Sequence, residues 1–170
     1  MTRYVALLRA VNVGGTGKLP MADLKRMGED AGFEAVGTYI ASGNLIFRSD
    51  ESERAVRTLI EAQLEAYAGK RIGVHIRTAE ELASLVERNP FAQHPPNRVV
   101  VMLIEGAPPA DTLERVAGRK AEEIALGQRE IFIHFGEGQA DSKLRIPAAA
   151  EGTARNMNTI AKLAELTAKL

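Results

Sequence analysis

The residues best equipped for chemistry lie in "RAVNVGGTGKLP", residues 9–20. Arg9 and Lys18 supply positive charge, Asn12 a carboxamide, and Gly14, Gly15 and Gly17 a backbone that a ligand can approach closely. Glycine-rich loops between a strand and a helix hold phosphates through their backbone N–H groups. A P-loop reads Gly, four residues, then Gly-Lys-Ser/Thr. With Gly17-Lys18 in place, its first glycine falls on Asn12 and its hydroxyl on Leu19. The dinucleotide fingerprint puts its third glycine on Pro20 and its acid about 20 residues on, at "YIASGN", which has none. Both patterns fail. What remains is a helix start: with Pro20 as first helical residue, the capping position belongs to Leu19, which cannot accept from the free amides. An anion can satisfy such amides, and Lys18 adds a full charge.

A second polar group is Ser42, Gly43 and Asn44. Gly43-Asn44 joins the apolar runs 33–41 and 45–49 and predicts a two-residue hairpin. Elsewhere the signals for catalysis are weak. His75, His94 and His134 are far apart in sequence and lack metal-ligand spacing. His75 and His134 alternate with strand residues, as structural histidines do. "ASGN" lacks the G-x-S-x-G elbow of hydrolases, and Asp141, Ser142 and Lys143 form a loop cluster of low specificity. With no cysteine, disulfides, thiol nucleophiles and cysteine-ligated metals are removed together. We therefore expect no metal and no cofactor, and no catalytic constellation is visible.

The elements that must position these residues follow from periodicity. "YVALLRAV" (4–11) reads as a buried strand. A helix from Pro20 carries Leu24, Met27 and Ala31 and stops at Gly32. After the hairpin, Asp50 and Glu53 have capping-box spacing before the stripe Val56, Leu59, Ile60 and Leu64. "GVHIRT" (73–78) is a strand, and Thr78 and Glu81 repeat the box. In the second half we expect a strand over 98–104 and a short helix over 111–117. A hairpin follows around Gly127-Gln128, then a loop over 136–152 and a final helix from Thr153. The first 77 residues thus read βαββαβ, the ferredoxin-like order, and the remainder reads βαββα without a clear last strand.

The expected fold class is α+β with two ferredoxin-like halves, residues 1–88 and 98–170, around a proline-rich connector, "NPFAQHPPN" (89–97). An internal duplication is consistent with this order. In it the first two strands run parallel, so the glycine loop and the Ser42–Asn44 hairpin share one edge, with Arg9 beside them. Plainer readings coexist: a mobile connection, a turn chosen for positive φ, and an arginine paired with Glu34 or a carbonyl.

With 170 residues, 45% of them hydrophobic, the chain can bury a substantial core. Its 22 basic and 22 acidic side chains leave no net charge, which disfavours a broad grip on duplex phosphates. The start, "MTRYVALLRAV", is too short and too charged for a signal peptide, and no run is long enough to span a membrane. A cytoplasmic protein without a membrane partner is expected.

"YVALLRAVNVGG", "KLPMADLKRMGEDAGFEAVGTYIASGNLIF" and "TARNMNTIAKL" (153–163) together resemble family 1697 of the domains of unknown function. The family's usual patterns are an LLRG-INVGG opening, a Lys-x-Pro-Met helix start, a Thr-Tyr-x-x-SGN hairpin and a closing TxRNWxTxxKL. The resemblance implies two ferredoxin-like halves and no established activity. It adds Arg155, Asn156, Asn158 and Thr159, expected in the first turn of the last helix, with Thr153 as the alternative cap. Ala10 stands at a usual glycine, which suggests less need there for a bare backbone. Met157 stands at a usual tryptophan, keeping the face apolar without an indole.

The functional expectation is a binding protein for a small anionic or phosphate-containing ligand at the glycine-loop edge. A single-stranded nucleic-acid module is the alternative, disfavoured because aromatics are only 5% and "GNLIFRS" does not fit an RNP1 pattern. A protein-interaction module would instead expose a contiguous apolar patch. The oligomeric state is not legible.

Overall fold

The computed structural model describes residues 1–14, 18–136 and 138–170. Its contacts divide the chain into a first unit, Met1–Ser84 with Lys162–Leu170, and a second, Leu85–Ala161. Each carries one four-stranded antiparallel sheet, so the fold is α+β.

The first unit runs β1 (Thr2–Leu8), α1 (Met21–Asp30), β2 (Glu34–Thr38), β3 (Asn44–Ser49), α2 (Glu53–Ala68) and β4 (Val74–Thr78). The sheet order β2-β3-β1-β4 is the ferredoxin-like one. β1 is antiparallel to β3, and β3 to β2, so β1 and β2 run parallel. Alternation then sorts β1: Tyr4, Ala6 and Leu8 join Leu24 and Met27 of α1 and Val56, Ile60 and Leu64 of α2 in one core. Leu59, on the predicted stripe, is partly exposed.

Several expected boundaries move. β1 ends at Leu8, not Val11, because Ala10 and Asn12 take left-handed φ of 54° and 57°. Pro20 is the capping residue of α1 rather than its first helical one; it provides no side-chain acceptor, so the helix start is still uncapped from its own side chain. The hairpin is not two residues long. Tyr39 donates to the Asn44 carbonyl at 3.1 Å, which closes a four-residue loop over 40–43, and Asn44 belongs to β3. α2 is capped by Ser52, whose Oγ accepts from Ala55 N, and not by Asp50. The Thr78–Glu81 box forms reciprocally at 3.1 Å in both directions, starting α3 (Ala79–Glu87).

The second unit's sheet contains β5 (Val99–Leu103), β6 (Glu123–Leu126), β7 (Glu130–His134) and β8 (Thr153–Asn156), in the order β6-β7-β5-β8. This repeats the first sheet's order with shorter crossovers. The helix expected over 111–117 is a single 3-10 turn, Leu113–Arg115. The missing last strand exists: Thr153–Asn156 pairs with β5, and the final helix α4 (Met157–Ala168) starts four residues later than expected. Val100, Ile104, Ile131 and Ile133 pack with Phe135, Ile146 and Ala149 from the 135–150 loop to form this unit's core. No helix among the described residues is long and apolar enough to cross a membrane.

Candidate functional site

At the C-terminal end of β1 the first unit opens a cleft of about 710 Å³. Three segments supply it. Arg9, Ala10 and Val11 follow β1, Lys18 and Leu19 lead into α1, and Tyr67 to Gly73 run from the end of α2 towards β4. Arg9 is fixed at its backbone, where its N–H donates to the Gly73 carbonyl at 2.9 Å. A Cβ at Gly73 would stand 3.6 Å from Arg9 Cβ and Cδ, so the arginine stem lies over a residue without a side chain. Gly69 ends α2 at φ 70°, and the turn delivers Lys70 and Arg71 straight to the rim.

The charge is one-sided. Arg9, Lys18, Lys70 and Arg71 line the cleft, and none of the described residues lining it is acidic. Asp23, in the first turn of α1, is not among the lining residues but is tied to one of them: Tyr67 donates its hydroxyl to Asp23 Oδ2 at 3.1 Å, and Arg26 pairs with Oδ1 at 3.1 Å. Donating that bond to the Asp23 carboxylate keeps the Tyr67 proton on, which raises the phenol's pKa above its ordinary value. Tyr67 is 48% exposed and offers a flat surface in the same cleft as the four cations.

A neighbouring groove of about 650 Å³ shares Lys18 and Leu19 with the cleft and continues over Asn12, Gly14, Pro20, Met21 and Ala41. It lies over the start of α1, where the helix dipole favours negative charge. Lys18 is common to both.

The remaining first-unit candidates build this edge with hydrogen bonds. Asn12 Nδ2 donates to the carbonyls of Leu19 (2.9 Å) and Ala41 (2.7 Å), and its Oδ1 accepts from Leu19 N at 2.7 Å. One carboxamide thus closes the glycine loop and ties it to the hairpin. Asn44, fully buried, donates to the Tyr39 carbonyl and to Ser42 Oγ. Gly43 donates nothing from a side chain, yet its carbonyl accepts from Leu8 N at 2.9 Å. A Cβ there would come within 2.6 Å of Val11 Cγ2. Gly15 lies outside the described residues.

The C-terminal candidates belong to the second unit: Arg155 and Asn156 lie in β8 rather than in a helix turn, whereas Asn158 and Thr159 fall in the first turn of α4, as expected. Arg155, in β8, is buried, donating to Thr153 Oγ1 at 2.7 Å and to the Ala154 carbonyl at 2.9 Å. Burial alone lowers its pKa to about 10. Asn156 caps α4, its Oδ1 accepting from Thr159 N at 2.9 Å, so Thr153 is not the cap. Thr159 and Met157 are buried and Asn158 is exposed. Sequence reasoning missed Tyr67, Lys70 and Arg71; the available signal was a cationic pair directly after a glycine helix stop.

Comparison with known proteins adds family and fold. The family described as "Protein of unknown function (DUF1697)" matches residues 1–132. The resemblance at residues 153–163 lies beyond that match. The conserved bacterial protein SP0830 from Streptococcus pneumoniae is similar in structure, with a TM-score of 0.81 and 25% identity over 98% of each chain. No curated protein sequence matches the chain significantly.

Proposed function

The chain belongs to the DUF1697 family, and we propose that it binds a small anionic ligand carrying phosphate in the cleft beside β1. The observation that carries this reading is the convergence of Arg9, Lys18, Lys70 and Arg71 on one cleft, with no acid among the described residues that line it. Cations from three chain segments converge on one concavity, which concentrates positive potential where a polyanion would sit. The adjoining start of α1 brings no side-chain cap and can take part of the ligand's charge. Asn12, Ser42, Gly43 and Asn44 hold the walls in place, and the exposed Tyr67 ring can lie against a planar part of the ligand.

A small ligand fits better than a nucleic-acid strand. All five phenylalanines and Tyr4 are buried, which leaves neither sheet a row of aromatics on which bases could stack.

Calorimetric titration of the full chain with inorganic phosphate, ATP and a short single-stranded RNA tests the reading. Lys18→Gln and Arg71→Gln should each weaken ATP binding roughly tenfold, the value of one charge-assisted contact. Their thermal stability without ligand should stay the same or rise. Equal ATP affinity in both variants and the parent would remove the cleft from consideration.

A further inference from the structure

The second unit assembles a group that the sequence keeps apart. His134 and Glu123 are direct cross-strand partners on β7 and β6, and His134 Nδ1 lies 3.0 Å from Glu123 Oε1. His94 arrives from the connector between α3 and β5 and stacks on His134, with ring centroids 3.6 Å apart and planes 15° from parallel. Its Nε2 stands 3.9 Å from the same Glu123 oxygen. One candidate ligand atom from each residue lies within 4.8 Å of the other two.

We infer that His94, Glu123 and His134 form a binding site for a divalent transition-metal ion of the zinc type. Imidazole nitrogens with one carboxylate oxygen suit such ions, whereas magnesium and calcium prefer all-oxygen sets. Bonds of about 2.0–2.1 Å place the ligand atoms of a tetrahedral site roughly 3.3 Å apart. The 3.0 Å and 3.9 Å separations here bracket that value. Strand register fixes the backbones of Glu123 and His134, and His134 is buried, so His94 is the ligand that moves: its ring has to turn out of the stack for Nε2 to aim at an ion held by His134 Nδ1. His94 is positioned by its own turn, its N–H donating to the Phe91 carbonyl at 3.0 Å. Phe91, itself buried, tilts against both rings with centroids at 6.4 Å and 5.8 Å and gives the group an apolar wall.

The opposite side is open. The Glu123 side chain is 56% exposed and that of His94 31%, which gives an ion its entry path and leaves a fourth position for water.

The test is titration of the full chain with Co²⁺ and Zn²⁺, following the Co²⁺ visible absorption and the heat of binding, with Mg²⁺ as the contrasting ion. His94→Gln and Glu123→Gln are suitable variants because both side chains are partly exposed, and circular dichroism checks that they fold. The expected result is one Co²⁺ per chain, displaced by Zn²⁺, with affinity at least tenfold lower in each variant and no response to Mg²⁺. Zn²⁺ should raise the melting temperature of the parent and not of the variants. Absence of saturable Co²⁺ binding overturns the inference, and so does binding that is equally tight in both folded variants.

Discussion

Ala10 shows how a single residue reads differently in sequence and in space. Its place at a usual glycine suggested little need for a bare backbone, yet its φ of 54° is left-handed. Such a conformation costs an L-residue about 1–2 kcal/mol, partly offset by the lower chain entropy of alanine when unfolded. Ala10→Gly should therefore stabilise the protein by about 0.5–1 kcal/mol in urea unfolding, and a loss of stability would contradict the strain. Gly43 is the converse case. At φ 92°, with Val11 Cγ2 2.6 Å from the position of an added Cβ, it has both strain and a clash to meet. Gly43→Ala should cost roughly 2–4 kcal/mol. The Ser-Gly-Asn motif was legible as a turn because glycine and asparagine announce one. The partners of Asn12 and Asn44 were not, since they lie across a loop whose path only the fold determines.

Among the elements, strong periodicity carried the reading. α1, α2, β3 and the Thr78–Glu81 box were visible because amphipathic spacing and a reciprocal cap are local signals. β8 was not. Its four residues, "TARN", have little strand character of their own and are extended because β5 offers them a partner. That pairing moves the helix start and turns Asn156 from a candidate ligand group into a cap. Asn156→Ala should destabilise the protein by about 1 kcal/mol, the usual worth of such a cap. Anion affinity in the first unit should not change, which calorimetry of the same variant would check. The Glu123–His134 pair was hidden for a related reason: eleven positions of sequence separation say nothing until strand register places them side by side.

Across the whole molecule, zero net charge hides local asymmetry. The 22 basic and 22 acidic side chains balance overall, but four of the cations gather where no described acid lines the surface. The composition disfavoured a broadly basic face and could not reveal a small one, because Arg9, Lys18 and the Lys70-Arg71 pair come from three separate segments. The succession of elements in the first unit was legible from its apolar runs and turns, whereas the strand order of the sheets and the second unit's last strand came only from the structure. The most direct measurement is an amide NMR titration of the full chain with inorganic phosphate and ATP. The account predicts saturable shifts confined to residues 9–14, 18–21 and 67–73, sharper for ATP than for phosphate and weakened by added salt. Silence from those segments, or shifts spread over another surface, would contradict it.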